Sequence, residues 1–155
     1  PRSAGIEQIS KYLKIIIAEQ GPMVAEHAYH VYLDKARIKR LGGQIQEKFN
    51  QSMKALLEDG DILVVNHSGT NGQLDIVVKT PDQYDVVIRE HLKRPIERIP
   101  QNELHAVMEK IKDSQLFQDN EQELMRAVLV KYGLKRLTKK TETILNEIIK
   151  RLRVI

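Results

Sequence analysis

Apolar residues in the first part of the chain recur at helical spacing. Ile6, Ile9, Leu13, Ile16 and Ile17 place one apolar stripe on a helix running from about residue 5 to Glu19. Gly21-Pro22 stops it, because proline lacks the N–H and biases its predecessor away from the helical region. A second helix is predicted from about Val24 to Leu33, with Val24, Ala28, Val31 and Tyr32 turned inward. A corner from Asp34 to Leu41 follows. Gly42-Gly43 then leads into a long amphipathic helix that ends at Glu58 and buries Ile45, Phe49, Met53, Leu56 and Leu57. Beyond Asp59-Gly60 the pattern becomes extended. Ile62-Leu63-Val64-Val65 and the run Leu74, Ile76, Val77, Val78 flank a polar turn, and its Asn71-Gly72 pair between β-branched runs predicts a hairpin.

Three helices followed by a hairpin is the winged-helix order, so residues 5–79 are predicted to form a winged-helix domain. Residues 80–100 read as an ordered connector. Thr80-Pro81-Asp82 marks a turn, Asp85 to Arg89 suits a further strand, and Val86-Val87-Ile88 would be costly to leave in water. Helical spacing returns in Gln101 to Lys112, Glu121 to Val130 and Thr138 to Leu152. These three segments define a second three-helix, winged-helix-like module over residues 101–155, with no hairpin pattern after its third helix. The fold class is therefore mainly α with a small β-hairpin, arranged as tandem winged-helix or helix-turn-helix-like modules.

The modules share more than helix count. Ile38-Lys39-Arg40-Leu41 returns 96 residues later as Leu134-Lys135-Arg136-Leu137. The same offset pairs Ala28 with Leu124, Val31 with Ala127, Leu33 with Leu129, Phe49 with Leu145, Met53 with Ile149 and Leu56 with Leu152, all apolar. Such a register is expected if both copies bury the same faces of two successive helices.

Composition changes this picture little. The chain has 155 residues, 41% of them apolar, which suffices for one ordinary core or two small ones. With no Trp and only Phe49 and Phe117, the cores should be mainly aliphatic. The absence of cysteine excludes disulfides and thiolate catalysis and suits a reducing compartment such as the cytoplasm. No run is apolar for long enough to predict a membrane span, and the first residues lack the plan of a signal peptide. The first residue is Pro1, which reads as a fragment or a processed chain.

Charge distribution matters more than the net +4. Residues 35–54 carry a local balance of +5 and residues 131–155 one of +6, so both basic blocks lie at and beyond the repeated corner. Such faces attract polyanions even when total charge is modest.

Three short segments carry a resemblance. Glu97-Arg98-Ile99-Pro100-Gln101-Asn102-Glu103-Leu104, Tyr132-Gly133-Leu134-Lys135-Arg136-Leu137 and Gln20-Gly21-Pro22-Met23 resemble the winged-helix-like C-terminal domain, of unknown function, of some bacterial superfamily 1 helicase-like proteins. The chain departs from that pattern at Leu116-Phe117-Gln118-Asp119 and at Thr138-Lys139-Lys140. The resemblance implies a noncatalytic accessory domain of a DNA-processing protein. Its partners would be double-stranded DNA and helicase or nuclease domains in the same or another chain, without a membrane, and homo-oligomerisation stays open.

The contact chemistry expected under that resemblance is phosphate attraction. Lys39, Arg40, Lys48 and Lys54 are the candidates in the first module, with Gln44 and Gln51 as base-edge readers and Asn71 at the hairpin tip. Lys135, Arg136, Lys139, Lys140 and Lys150 are the candidates in the second. A competing reading is that the apolar-basic-apolar pattern preserves helix packing, with lysine stems covering the rim. A second functional class, a protein-interaction or regulatory module, fits the same helices. No catalytic constellation, cofactor motif or metal set is predicted: His27 and His30 are one helical turn apart but lack further ligands, and the glycine pairs lack the Lys-Ser/Thr of a phosphate loop.

Overall fold

The computed structural model describes residues 5–66, 76–89, 94–114, 121–134 and 136–154. They fall into two compact units, 1–85 and 86–155, each with its own hydrophobic core.

In the first unit, α1 (Ile6–Gln20) buries Ile9, Leu13, Ile16 and Ile17 of the stripe its spacing predicts, while Ile6 at its start is only partly buried. The chain then forms β1 (Met23–Val24), α2 (Ala25–Lys35), α3 (Gly43–Glu58), β2 (Leu63–Asn66) and β3 (Val77–Lys79). The three strands make an antiparallel sheet in the order β1-β3-β2, with Met23 opposite Val78 and Val64 opposite the same residue on the other side. An irregularity in β2 between Val64 and Asn66 shifts the register. The predicted hairpin pairing is present. Its turn, including Asn71, lies outside the described residues.

Three details differ from the sequence reading. β1 precedes α2, and the Ala25 N–H donates to the Ile76 carbonyl at 2.9 Å, which ties the start of α2 to the sheet. Asp85 to Arg89 forms no strand; Ile88 instead packs against the second core. Val31 and Leu57, expected inside, are only partly buried, whereas Tyr29 is fully buried. Tyr29 stacks on Phe49 at 4.8 Å between ring centroids, and Tyr32 meets Phe49 edge-on at 5.1 Å. Aromatic rings thus join α2 to α3 inside an otherwise aliphatic core.

The second unit contains α4 (Gln101–Ser114), α5 (Glu121–Lys131) and α6 (Lys139–Val154), preceded by a single 3-10 turn, Ile96–Arg98. Helix α5 is α2 displaced by 96 residues, and α6 is α3 displaced by 96, with the same first and last positions. Helix α4 matches α1 at an offset of 95: Ile9, Leu13 and Ile16 correspond to Leu104, Met108 and Ile111, all buried. The duplication seen in the apolar register therefore extends to the helix boundaries.

Candidate nucleic-acid interface

The repeated corner is built by one hydrogen-bond scheme used twice. At the end of α2 the Ala36 N–H donates to the Tyr32 carbonyl, the Arg37 N–H to Asp34 and the Ile38 N–H to Leu33, at 2.9, 3.1 and 2.9 Å. At the end of α5 the Tyr132 N–H donates to Val128, the Gly133 N–H to Val130 and the Leu134 N–H to Leu129, at 3.2, 3.1 and 2.8 Å. This is a Schellman closure, in which the residue after the cap takes the left-handed conformation. Arg37 has φ 57° and Gly133 has φ 68°.

The closure explains the motif. Ile38 and Leu134 follow the left-handed residue, and Leu41 and Leu137 come three residues later; all four are partly buried against the cores. The described residues between these anchors are turned outward. Lys39, Arg40 and Arg136 are exposed and form no ion pair among the described residues. Lys135, like Asn71, lies outside the described residues.

The helices after the corner start differently. Gly42 is the N-cap of α3 and supplies no side-chain hydrogen bond. In the second unit Thr138 Oγ1 accepts from the Thr141 N–H at 3.2 Å, so the first turn of α6 is capped by a side chain. On α3, Gln44, Gln51 and Lys54 are exposed and Lys48 is half-buried. Positions 44, 48 and 51 share one helical stripe. On α6 the equivalent stripe is Lys140, Ile144 and Glu147. Lys139, Lys140 and Lys150 are exposed. Lys140 lies 3.4 Å from Glu97 and Lys150 lies 3.6 Å from Glu147, pairs whose members all remain largely in water. Such pairs are worth little and exchange readily with other anions.

Two features gave no sequence signal. In the second unit Arg94, Glu103 and Tyr132, at most 5% exposed, form one polar node. The Arg94 guanidinium donates through both terminal nitrogens to the Glu103 carboxylate, at 3.1 and 2.6 Å, and the Tyr132 hydroxyl donates to the same carboxylate at 2.6 Å. Arg89 closes the ring through its backbone, its N–H donating to Glu103 and its carbonyl accepting from Arg94. The node holds the segment before α4 to the end of α5, next to the second corner. In the first unit, Tyr12, Ile15, Ile16, Tyr32, Lys35 and Ala36 line a groove of about 230 Å³ between α1 and α2. Tyr12 and Ile15 are 48% and 43% exposed there, whereas Lys110 occupies the position on α4 equivalent to Ile15.

Among the described residues no group of three or more His, Asp or Glu side chains could hold a metal ion, and no helix is long and apolar enough to cross a membrane. Comparison with known proteins gives no match: no family model, no curated protein and no solved structure.

Proposed function

We propose that the chain is a noncatalytic, duplex-DNA-binding or DNA-guiding accessory module built from tandem winged-helix-type units, the second without a wing. The observation that carries this reading is the duplicated corner, where one backbone closure precedes the third helix of each unit and leaves Lys39 and Arg40 exposed in the first and Arg136 exposed in the second. In the first unit the order α1-β1-α2-α3-β2-β3, with a sheet ordered β1-β3-β2, supports the winged-helix assignment. Under it, α3 is the helix that enters the major groove. Lys39 and Arg40 grip the phosphates flanking it, and Lys54 extends the grip along the helix. In the second unit Arg136, at the position of Arg40, and Lys139, at the start of α6, take the phosphate-gripping role.

The test is a titration of labelled duplex and single-stranded DNA across a salt series. The wild-type chain should bind duplex with an affinity that falls as salt rises, by about 0.9 log unit per log unit of salt for each phosphate neutralised. Removal of charge at Lys39 and Arg40, or at Lys135 and Arg136, should weaken binding with the fold intact by circular dichroism. Absence of binding at low salt overturns the reading.

A second reading, docking of a helicase domain, a nuclease domain or another copy, draws on the apolar groove of the first unit. It predicts that Ile15→Glu abolishes a protein association while leaving any duplex binding unchanged.

A further inference from the structure

The duplication allows each position of α3 to be compared with its counterpart on α6 inside one molecule. The stripe Gln44, Lys48, Gln51 has become Lys140, Ile144, Glu147. At its centre, Ile144 is partly buried against the second core and offers no hydrogen-bonding group. Glu147 is an acceptor only and has Lys150 3.6 Å away. Adenine presents a donor and an acceptor in the major groove, and guanine two acceptors, so a purine reader needs donors. The α6 stripe supplies one, the Lys140 ammonium, which sits beside Glu97. The α3 stripe carries two exposed carboxamides, each matching the donor-acceptor pair of adenine.

At the start of the two helices the charge shows the opposite trend. The first helical position is Gly43 in α3 and Lys139 in α6, and the second is Gln44 in α3 and Lys140 in α6. Cations in the first turn work against the helix dipole, at about 0.3–1 kcal/mol each. Their presence at two successive exposed positions of α6 is therefore not a consequence of helix stability. It places two exposed ammonium groups three and four positions after exposed Arg136, a set suited to the sugar-phosphate backbone and indifferent to base identity.

We propose that the two units divide the work of duplex recognition: α3 reads adenine-containing base edges through Gln44 and Gln51, and α6 with its corner anchors phosphates through Arg136 and Lys139. This rests on the duplex-binding reading above: the first unit adds base reading to the phosphate grip of Lys39 and Arg40, and the second contributes anchoring alone. Base-edge contacts fix sequence preference and phosphate contacts fix the salt dependence.

The experiment uses the full chain and its Q44A/Q51A and R136A/K139A variants, each with its far-ultraviolet spectrum checked. Duplexes are selected from a randomised pool, and the affinity of the selected and scrambled duplexes is followed across salt. Q44A/Q51A should flatten the preference between the two duplexes and leave the salt slope unchanged. R136A/K139A should weaken both duplexes by the same factor and reduce the slope by about 2, one unit for each cation removed from a phosphate. A preference that survives Q44A/Q51A overturns the proposal, as does a wild-type chain that binds all duplexes alike; both leave duplex binding itself standing. A salt slope unmoved by R136A/K139A overturns the anchoring half. No wild-type binding at low salt removes the reading beneath it.

Discussion

Arg37 and Gly133 occupy the same place in the two copies, and only one of them suits it. At φ 57° an L-residue brings its Cβ toward the following carbonyl, which costs about 1–2 kcal/mol, whereas glycine has no Cβ. Glycine also loses more chain entropy on folding, which offsets part of that difference. Arg37→Gly should therefore raise the stability of the first unit by about 0.5–1 kcal/mol, and Gly133→Ala should lower that of the second by a similar amount. Urea midpoints of the two variants check both signs, and a destabilised Arg37→Gly would show that the arginine side chain contributes more than its backbone costs. The aliphatic-basic-basic-aliphatic pattern was legible in the sequence because its outer residues must return to the core. The left-handed residue one place earlier was not, since arginine at Arg37 masks the signal that Gly133 displays. Tyr29 supplies a second residue-scale prediction. Its hydroxyl donates to Asn50 Oδ1 at 3.0 Å, and burial raises its phenol above the ordinary value of 10.0. Tyr32 moves the same way, through burial and then the neighbouring Tyr12. The folded chain thus keeps protons that the unfolded chain releases. Stability from these groups is intact below about pH 10 and falls above it, by up to about 1.4 kcal/mol per pH unit for Tyr29 and by less for Tyr32, whose hydroxyl is closer to water. Denaturant titrations at pH 9 and pH 11 should show this loss, and Tyr29→Phe should make it shallower; an unchanged alkaline loss would remove Tyr29 as a contributor.

Elements were legible in proportion to how many periods each displays. Helices α1, α3, α4 and α6 span three or more turns with apolar residues every three or four positions, and their spans follow the spacing closely. Strand β1 has two residues, too few to express an alternation, and is created by pairing with β3 more than fifty residues away. The same non-local logic sets the end of α1. Gln83 donates through Nε2 to the carbonyls of Ile17 and Ala18, at 2.8 and 3.0 Å, and its Oε1 accepts from the Thr80 N–H at 2.8 Å. One side chain from the turn after β3 thereby satisfies two terminal carbonyls of α1 and fastens the helix to the sheet. Gly21 sits under it, where an added Cβ would lie 2.6 Å from the Ile17 carbonyl oxygen and 2.7 Å from Gln83 Oε1. Gln83→Ala should cost about 1–3 kcal/mol, because the Thr80 N–H and the Ile17 carbonyl, both on buried residues, lose hydrogen bonds that water replaces only in part. Hydrogen exchange checks the location as well as the size: protection should drop at the end of α1 and in β3 before it drops in α3. A uniform drop would show that the glutamine supports the whole unit and not that junction. Neither a two-residue strand nor a glutamine cap from another turn leaves a periodic trace, and the stripe of α3 proposed to read bases was visible only as surface glutamines.

At the scale of the whole molecule, duplication has kept the helix frame and changed what each copy uses to secure it. The first core closes over the Tyr29–Phe49 stack and a three-stranded sheet. The second has no strand among its described residues and instead contains the buried Arg94–Glu103 pair with Tyr132. A bidentate pair with both side chains out of water is weak grounds for net stability, because desolvation offsets the attraction, yet removing one partner leaves a buried charge uncompensated. Glu103→Ala should therefore destabilise the second unit by about 3–5 kcal/mol. The two cores share no residue, so the loss should stay local and unfolding should separate into two transitions. Peptide-resolved hydrogen exchange reads this directly: α4, α5 and α6 should exchange faster in the variant while α1, α2 and α3 keep wild-type rates. Equal acceleration across both units would mean that they fold as one cooperative body. The outcome also bears on recognition, because the node holds Tyr132 at the end of α5, one residue before the left-handed turn that presents Arg136. A variant with a loosened node and an intact first unit should keep its preference among duplexes while its salt slope decreases, separating the anchoring unit from the reading unit without altering any residue proposed to touch DNA.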